Sequence, residues 1–510
     1  MSTTTPRPGK LLLGVDIGTG SSKGVLTDTE GTVLATSEQP HDLSLPRPGW
    51  AEHDAEDVWW ADFTAICTEL VAEAGDAEIC GISVSGIGPC ILFADEQGNP
   101  LRPAILYGID TRSMAEVAEI SERYGEATIT KHCGNPLNAQ SIGARMLWLQ
   151  RQEPEVWQRT RYWFMASSFV AFRLTGAYVL DHVSASYSEP LYDVGSGEWT
   201  PWAAELGDGL GMPELKWPSD VVGHVTAEAA ERTGLPEGCP VVAGTMDSLA
   251  DAMSVGVRKP GDAVVIYGST MSIFLVTDEF LPSRQLWSNA HLFEGTNNLA
   301  SGMATSGSLT KWLRDLIGPG VDFGGLSEEA AAVPPGSHGL LALPYFAGER
   351  TPLHDPDARG VIAGLTLNHG RGHLYRALME ATAYGARHVL DVMQAAGGHS
   401  TRAYAVGGGT KAGLWPQIVS DVTGLTQEIT EQSVGACYGD AMLAGVGVGL
   451  VDADADWTTV TGVVEPDPQA RQTYEVLYGM YRELHRATEH LQHGLAHLQA
   501  QEESREAPQG

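Results

Sequence analysis

The sequence predicts an α/β protein of two related domains that face each other, and three observations carry that prediction. The chain has 510 residues, more than one hydrophobic core usually serves. Short apolar runs ending in glycine alternate with stretches of helical periodicity, the pattern of sheets covered by helices. A hairpin of strand, small-residue turn and strand occurs near residue 18 and returns near residue 269. That internal echo puts one such turn in each half, with room to hold phosphates between them.

Charge narrows the partners. The formal charge of −33, from 31 basic and 64 acidic residues, argues against nucleic acid and anionic membrane. An anionic substrate must then be held by turn amides or a metal ion. Six cysteines (Cys67, Cys80, Cys90, Cys133, Cys239, Cys437) include no CxxC pair, which fits a reducing cytoplasm. Residues 1–9 are polar and proline-containing, and read as a disordered lead without a signal pattern. No apolar run approaches a membrane span, so a cytoplasmic protein is expected.

Lys10 to Gly18 reads as a strand, Thr19-Gly20-Ser21 as a turn, and Ser22 to Asp28 as a second strand. Small residues there let backbone approach a phosphate, and Asp16 at the strand end can hold Mg²⁺. A plain hairpin turn uses the same residue types. There is no GxxxxGK[ST], and Gly18-Thr-Gly20-Ser-Ser-Lys23 lacks the third glycine of GxGxxG. A strand at 78–84 runs into Ser85-Gly86-Ile87-Gly88-Pro89, and another at 101–106 delivers Asp110 and Arg112. That pair suits either sugar hydroxyls or a structural ion pair. The aromatic-rich helices at 141–180 read as core, and His132, His182 and His224 show no metal spacing.

The central stretch is Gly244 to Gly256. A buried strand enters a turn at Gly244, and the Ala- and Met-rich residues beyond begin a helix, which places Asp247 at its start. Amides at a helix start favour anions, so an acid there can serve a polyanionic substrate or simply cap the helix. Residues 257–261 read as the crossing between domains of residues 10–257 and 258–488. Strand, turn and strand then recur through Gly268-Ser269-Thr270. Further on, Ala403 to Val406 meets Gly407-Gly408-Gly409 before a helix, fitting either a nucleotide or close helix–sheet packing. Residues 489–510 read as a helical or disordered tail, with His490, His493 and His497 on a solvated face.

These residues together resemble the FGGY carbohydrate kinases, most closely their xylulokinase-like branch. The match includes Asp16-Ile-Gly-Thr19, Pro48-Gly-Trp50 with Trp59-Trp60, Arg102-Pro-Ala-Ile-Leu106, Gly244 to Gly256, Gly348-Glu-Arg-Thr-Pro352 and Gly407-Gly-Gly409. Gly360-x-Ile362-x-Gly364-Leu365, followed after seven residues by His373-Leu374-x-x-Ala377-Leu378-Met379-Glu380, fits the family's second signature. The resemblance implies a two-domain actin-like (ribonuclease H-like) ATPase fold with ATP and sugar in the cleft. It casts Asp247 as general base and Asp16 as the Mg-ATP carboxylate. Thr19, Gly20, Ser21, Gly268, Ser269, Thr270 and Gly407, Gly408, Gly409 become nucleotide contacts.

The departures fall at expected sugar contacts. A Gly-Gln-Met-His element of xylulokinases is replaced after Gly86 by Ile87, Gly88 and Pro89, the Asn after the base by Ser248, and Trp-Asn-Asp by Gly108-Ile109-Asp110. The expectation is an ATP-dependent kinase for a ketopentose, D-xylulose first, with Arg112 and Asp110 beside the sugar. Another sugar, polyol or sugar acid (ribulose, erythritol, gluconate, an autoinducer-2-type substrate) comes second. A non-catalytic actin-like nucleotide- or sugar-binding protein comes third, and a homodimer is left open.

Overall fold

A computed structural model describes residues 9–318, 320–431 and 434–506, with side chains through 502. Eight of the nine residues expected to form a disordered lead lie outside that range. β1 (Lys10–Ile17) buries five apolar side chains on both faces, as a central strand covered on both sides must. It runs antiparallel to β2 (Ser21–Thr27), which is antiparallel to β3 (Val33–Pro40). On its other side β1 is parallel to β4 (Glu78–Gly86). β5 (Val221–His224) and β6 (Pro240–Val242) pair antiparallel, with β6 parallel to β4.

The second sheet repeats the scheme. β7 (Asp262–Tyr267), β8 (Met271–Thr277), β9 (Trp287–Ala290) and β10 (Asn297–Gly302) form an antiparallel run in the order β9-β10-β8-β7. β7 is parallel to β11 (Arg402–Val406), β11 to β12 (Gln427–Thr430), and β13 (Val460–Val464) closes antiparallel. The order β3-β2-β1-β4-β6-β5 therefore matches β10-β8-β7-β11-β12-β13 in every strand direction. The echo between residues 18 and 269 is the first hairpin of each copy.

Helices cover the outer faces: α1 (Ala61–Ala74) lies on β2 and β3, and α2 (Ala166–Thr175) on β4. In the second half α4 (Gly307–Ile317), α5 (Arg371–Ala395) and α6 (Leu414–Thr423) do the same work. Two helices cross between the halves. α3 (Asp247–Ser254) follows the first sheet, yet its Ala252 packs with Val264, Val276 and Tyr404 of the second. α7 (Ala436–Gly447) follows β12, yet Cys437, Ala441 and Leu443 pack with Leu12 and Val25 of the first. The two helices also rest on each other through Leu249 and Met253.

The last helix, α8 (Pro468–Glu506), folds back over the loop after Gly348. His493 Nε2 lies 2.8 Å from Asp355 Oδ2, so this histidine is docked, whereas His490 and His497 are exposed. Among the described residues, no helix is long and apolar enough to cross a membrane.

Candidate active site

A cleft of about 500 Å³ opens between the sheets, bounded by Asp16 and the start of α3 on one side and by β7, β8 and Trp287 on the other. The chain reaches it through a turn that only glycine permits. Gly244 has φ +71°, and a Cβ there would stand 1.9 Å from the Val84 carbonyl oxygen. Thr245 and Met246 then pair with the end of β4, which fixes Asp247 as the first residue of α3. Its Oδ1 accepts the Ser248 N–H at 2.6 Å. Burial pushes the Asp247 carboxyl well above the usual range, and repulsion from Asp16 and Asp251 adds to it.

Asp16, at the end of β1, is pushed up to about 6, chiefly by burial and then by Asp251. The Ser85 hydroxyl lies 3.2 Å from Asp16 Oδ1 and 2.5 Å from Asp440 Oδ2 on α7. One hydroxyl proton cannot serve both acids. Asp440 is fully buried, and burial raises its carboxyl well above normal with repulsion from Asp16 adding to it, so Ser85 bridges two acids that disfavour each other's charge. Asp16, Asp247 and Asp251 line the cleft together, and Arg350 is the only Lys or Arg among its described lining residues. Such uncompensated charge suits a divalent cation. The only described triad of close metal-binding atoms is Asp355, Glu489 and His493, away from this cleft, so an ion at Asp16 would need water and phosphate oxygens as further ligands.

Register places the glycine turns. β1 and β4 end together (Ile17 beside Gly86), as do β7 and β11 (Ile266 beside Val406). The turns at 18–21 and 86–89 are therefore neighbours, and so are those at 268–270 and 407–409. Gly268 and Ser269 carbonyls accept the amides of Gly307, Ser306 and Ser308 at the start of α4. Gly407 has φ +100°, and both Gly407 and Gly409 sit too close to Tyr267 for a side chain, while Gly408 faces open space. Thr19 Oγ1 lies 3.4 Å from the Tyr107 hydroxyl, which also lines the cleft.

Of the expected sugar contacts, Gly88, Pro89 and Ser248 line the cleft and Ile87 does not. The Ile87 side chain is buried in the core, and its N–H bonds the Ile17 carbonyl. Asp110 and Arg112 also stand apart from the cleft lining, and their contacts favour the structural ion pair of the two readings. Asp110 Oδ2 accepts from Ala51 N–H and from Arg112 Nη2 at 2.6 Å, while Arg112 Nη1 reaches Glu52 and its guanidinium lies 3.8 Å from the Trp50 ring centre. Every strong group is already engaged, and Asp110 is wholly buried. Arg112→Leu should then cost about 3 kcal/mol of stability by leaving the buried Asp110 carboxylate without its cation, while Glu52 keeps Arg102. Denaturant unfolding measures that loss, and a sugar KM that stays constant would separate it from any binding role.

Several lining residues escaped the sequence reading. Asp251 stands one helical turn beyond Asp247, a signal that was available. Asn135, Asn138, Gln140, Tyr187 and Glu189 come from irregular segments with no motif. Arg145 is completely buried and donates to the carbonyls of Pro89, Ile105 and Leu106, holding the turn that carries Gly88.

A family model described as the N-terminal domain of the FGGY family of carbohydrate kinases matches residues 11–254, and its C-terminal counterpart matches 263–448. The chain belongs to the FGGY family of carbohydrate kinases. The fold of this kinase is similar to the xylulose kinase of Rhodospirillum rubrum, with TM-score 0.89 and 32% identity over 95% of this chain and 100% of that one. The xylulose kinase of Lactococcus lactis is 29% identical over 95% of this chain and 98% of its own length. A gluconokinase of Bacillus subtilis is 26% identical over 94% and 96%.

The buried acids of the kinase set a pH dependence. Asp16 and Asp181 are raised from 3.8 to about 6, and Glu189 and Glu349 from 4.5 to about 7, burial being the largest cause for all four. Each binds its proton more tightly folded than unfolded. Their contribution is full below the unfolded values and is lost as pH rises through 6 to 7. Buried His53 and His291, lowered from 6.5 to about 4 chiefly by burial, act the other way and gain stability as pH rises. Removing one acid isolates its share. Glu349→Gln should raise the melting temperature relative to wild type more near about pH 8 than near about pH 5.5. Scanning fluorimetry checks it, and an equal shift at both contradicts it.

Proposed function

We propose that this kinase transfers the γ-phosphoryl group of Mg-ATP to a hydroxyl of a ketopentose, D-xylulose foremost, in the cytoplasm. The observation that carries the reading is Asp247. It is a half-buried acid at a helix start and lines the cleft together with Asp16, Asn138, Gln140 and Tyr107. Similarity to xylulose kinases along nearly the whole chain supports the choice of sugar.

Asp247 accepts the proton of the attacking hydroxyl. Asp16 would hold Mg²⁺ directly or through water, and the ion, when bound, neutralises charge on the phosphate oxygens. The turns at 19–21, 268–270 and 407–409 would offer backbone to the nucleotide, with Gly408 free of any neighbour that bars close approach. Closure of the two halves excludes water as a competing acceptor.

A sugar acid is the second reading, favoured by Arg350 on the cleft wall and by the gluconokinase likeness. Purified protein with Mg-ATP should release ADP in the presence of D-xylulose and not without a sugar. ADP release with D-gluconate alone would replace the first reading by the second. Turnover indifferent to every sugar would overturn both.

A further inference from the structure

The turn at 87–89 offers the cleft a glycine and a proline, so the polar recognition of the sugar must come from elsewhere. Glu189 lines the cleft, is only 4% exposed, and accepts one side-chain bond, from Asn135 Nδ2 at 2.8 Å on Oε1. An acid buried this deeply, bonded only by Asn135 and its own backbone N–H, has acceptor capacity left over on a carboxylate that borders the cavity.

Asn135 has a second task. Its Oδ1 accepts the Ser288 N–H at 3.1 Å, and Ser288 belongs to β9 of the other sheet. The contact is tight, because a Cβ on neighbouring Gly134 would fall 1.8 Å from the Ser288 carbonyl oxygen. A second bond, from Asn289 Nδ2 to the Ser186 carbonyl at 2.9 Å, closes the same seam. One amide thus ties a cleft acid in the first half to a strand of the second, and the residue before Ser288, Trp287, lines the cleft itself.

We infer that Glu189 is a specificity-determining residue that accepts a hydrogen bond from a hydroxyl of the bound sugar, and that Asn135 positions it against the second domain. This deepens, and rests on, the sugar-kinase reading above. As a carboxylate, Glu189 rewards a hydroxyl donor and penalises a substrate that lacks one at that position. The groups that face it are Arg145, which favours its charge, and the neutral Cys133 and Tyr187. Tyr187 also feels Asp247, and Tyr187, Asp247 and Glu189 line the same cleft. Because burial raises the Glu189 carboxyl to about 7, recognition strengthens as pH rises through that value.

The test uses full-length enzyme with Mg-ATP and whichever of D-xylulose and D-gluconate the wild type phosphorylates. Glu189→Gln keeps volume and the oxygen that Asn135 bonds. It is expected to raise sugar KM about tenfold near about pH 8, with kcat within about threefold and the Mg-ATP KM unchanged. Wild-type sugar KM should fall as pH rises through about 7, and the variant's should stay flat. Asn135→Asp keeps an acceptor for Ser288 while setting a second carboxylate on Glu189, so its fall in KM should move to higher pH. A sugar KM unchanged in Glu189→Gln, or a pH profile unmoved in Asn135→Asp, overturns the assignment while leaving the kinase reading intact. Wild-type enzyme that releases no ADP with either sugar overturns the kinase reading for both, and this assignment falls with it.

Discussion

Asp247→Asn is expected to lower kcat by about a thousandfold while leaving the Mg-ATP KM within about twofold. Asparagine has the size of aspartate, and its Oδ1 still accepts the Ser248 amide that Asp247 holds at 2.6 Å. What it lacks is basicity. The wild-type carboxyl, lifted by burial and by Asp16 and Asp251, is a stronger base than a surface aspartate and suits removal of a hydroxyl proton at the moment of transfer. The same substitution removes one member of a repelling cluster. The variant should therefore melt no lower than wild type near about pH 8, and higher if repulsion outweighs the lost bond. Steady-state kinetics with paired melting curves separate the two effects. A variant that retains more than about a tenth of wild-type kcat would assign the proton to another group, with Asp251 the first to test.

How much of this was readable beforehand follows from where each signal resides. β1 was legible because a strand covered on both faces needs apolar side chains at successive positions, as Leu11, Leu12, Leu13, Val15 and Ile17 supply. Asp247 was legible because a strand, a glycine and a helix start occur within a few residues. The Asp110–Arg112 pair left two readings open, since the deciding partners, Trp50, Ala51 and Glu52, lie some sixty residues earlier and meet it only in the folded chain. Glu189 and Asn135 carry no periodicity and are recruited purely by the seam with β9. Asp440 was hidden differently. It sits among small residues on a helix that local pattern assigns to the second half, and only the crossing of α7 onto β1 and β4 brings it to Ser85.

That crossing makes Gly14 and Gly439 the positions where a single methyl should do most harm to stability. A Cβ on Gly14 would stand 2.0 Å from the Cys437 carbonyl oxygen and 2.4 Å from the Ala441 nitrogen. On the far side of α7, a Cβ on Gly439 would stand 2.0 Å from the Ala250 carbonyl oxygen of α3. The nearest of these neighbours are backbone, so no rotamer change relieves the clash, and at these two points the layers β1, α7 and α3 meet backbone to backbone. Either glycine replaced by alanine forces α7 to move by an ångström or more, and Asp440 moves with it off Ser85. Gly14→Ala and Gly439→Ala are each expected to cost about 4 kcal/mol or more, enough to abolish soluble expression. Gly479→Ala in α8, where a Cβ meets nothing within 4 Å, serves as the control. It should be neutral or gain up to about 1 kcal/mol from helix propensity. Denaturant midpoints decide the matter: a Gly14→Ala protein within about 1 kcal/mol of wild type would mean that the seam yields, and that the two halves are not held by backbone contact through α7.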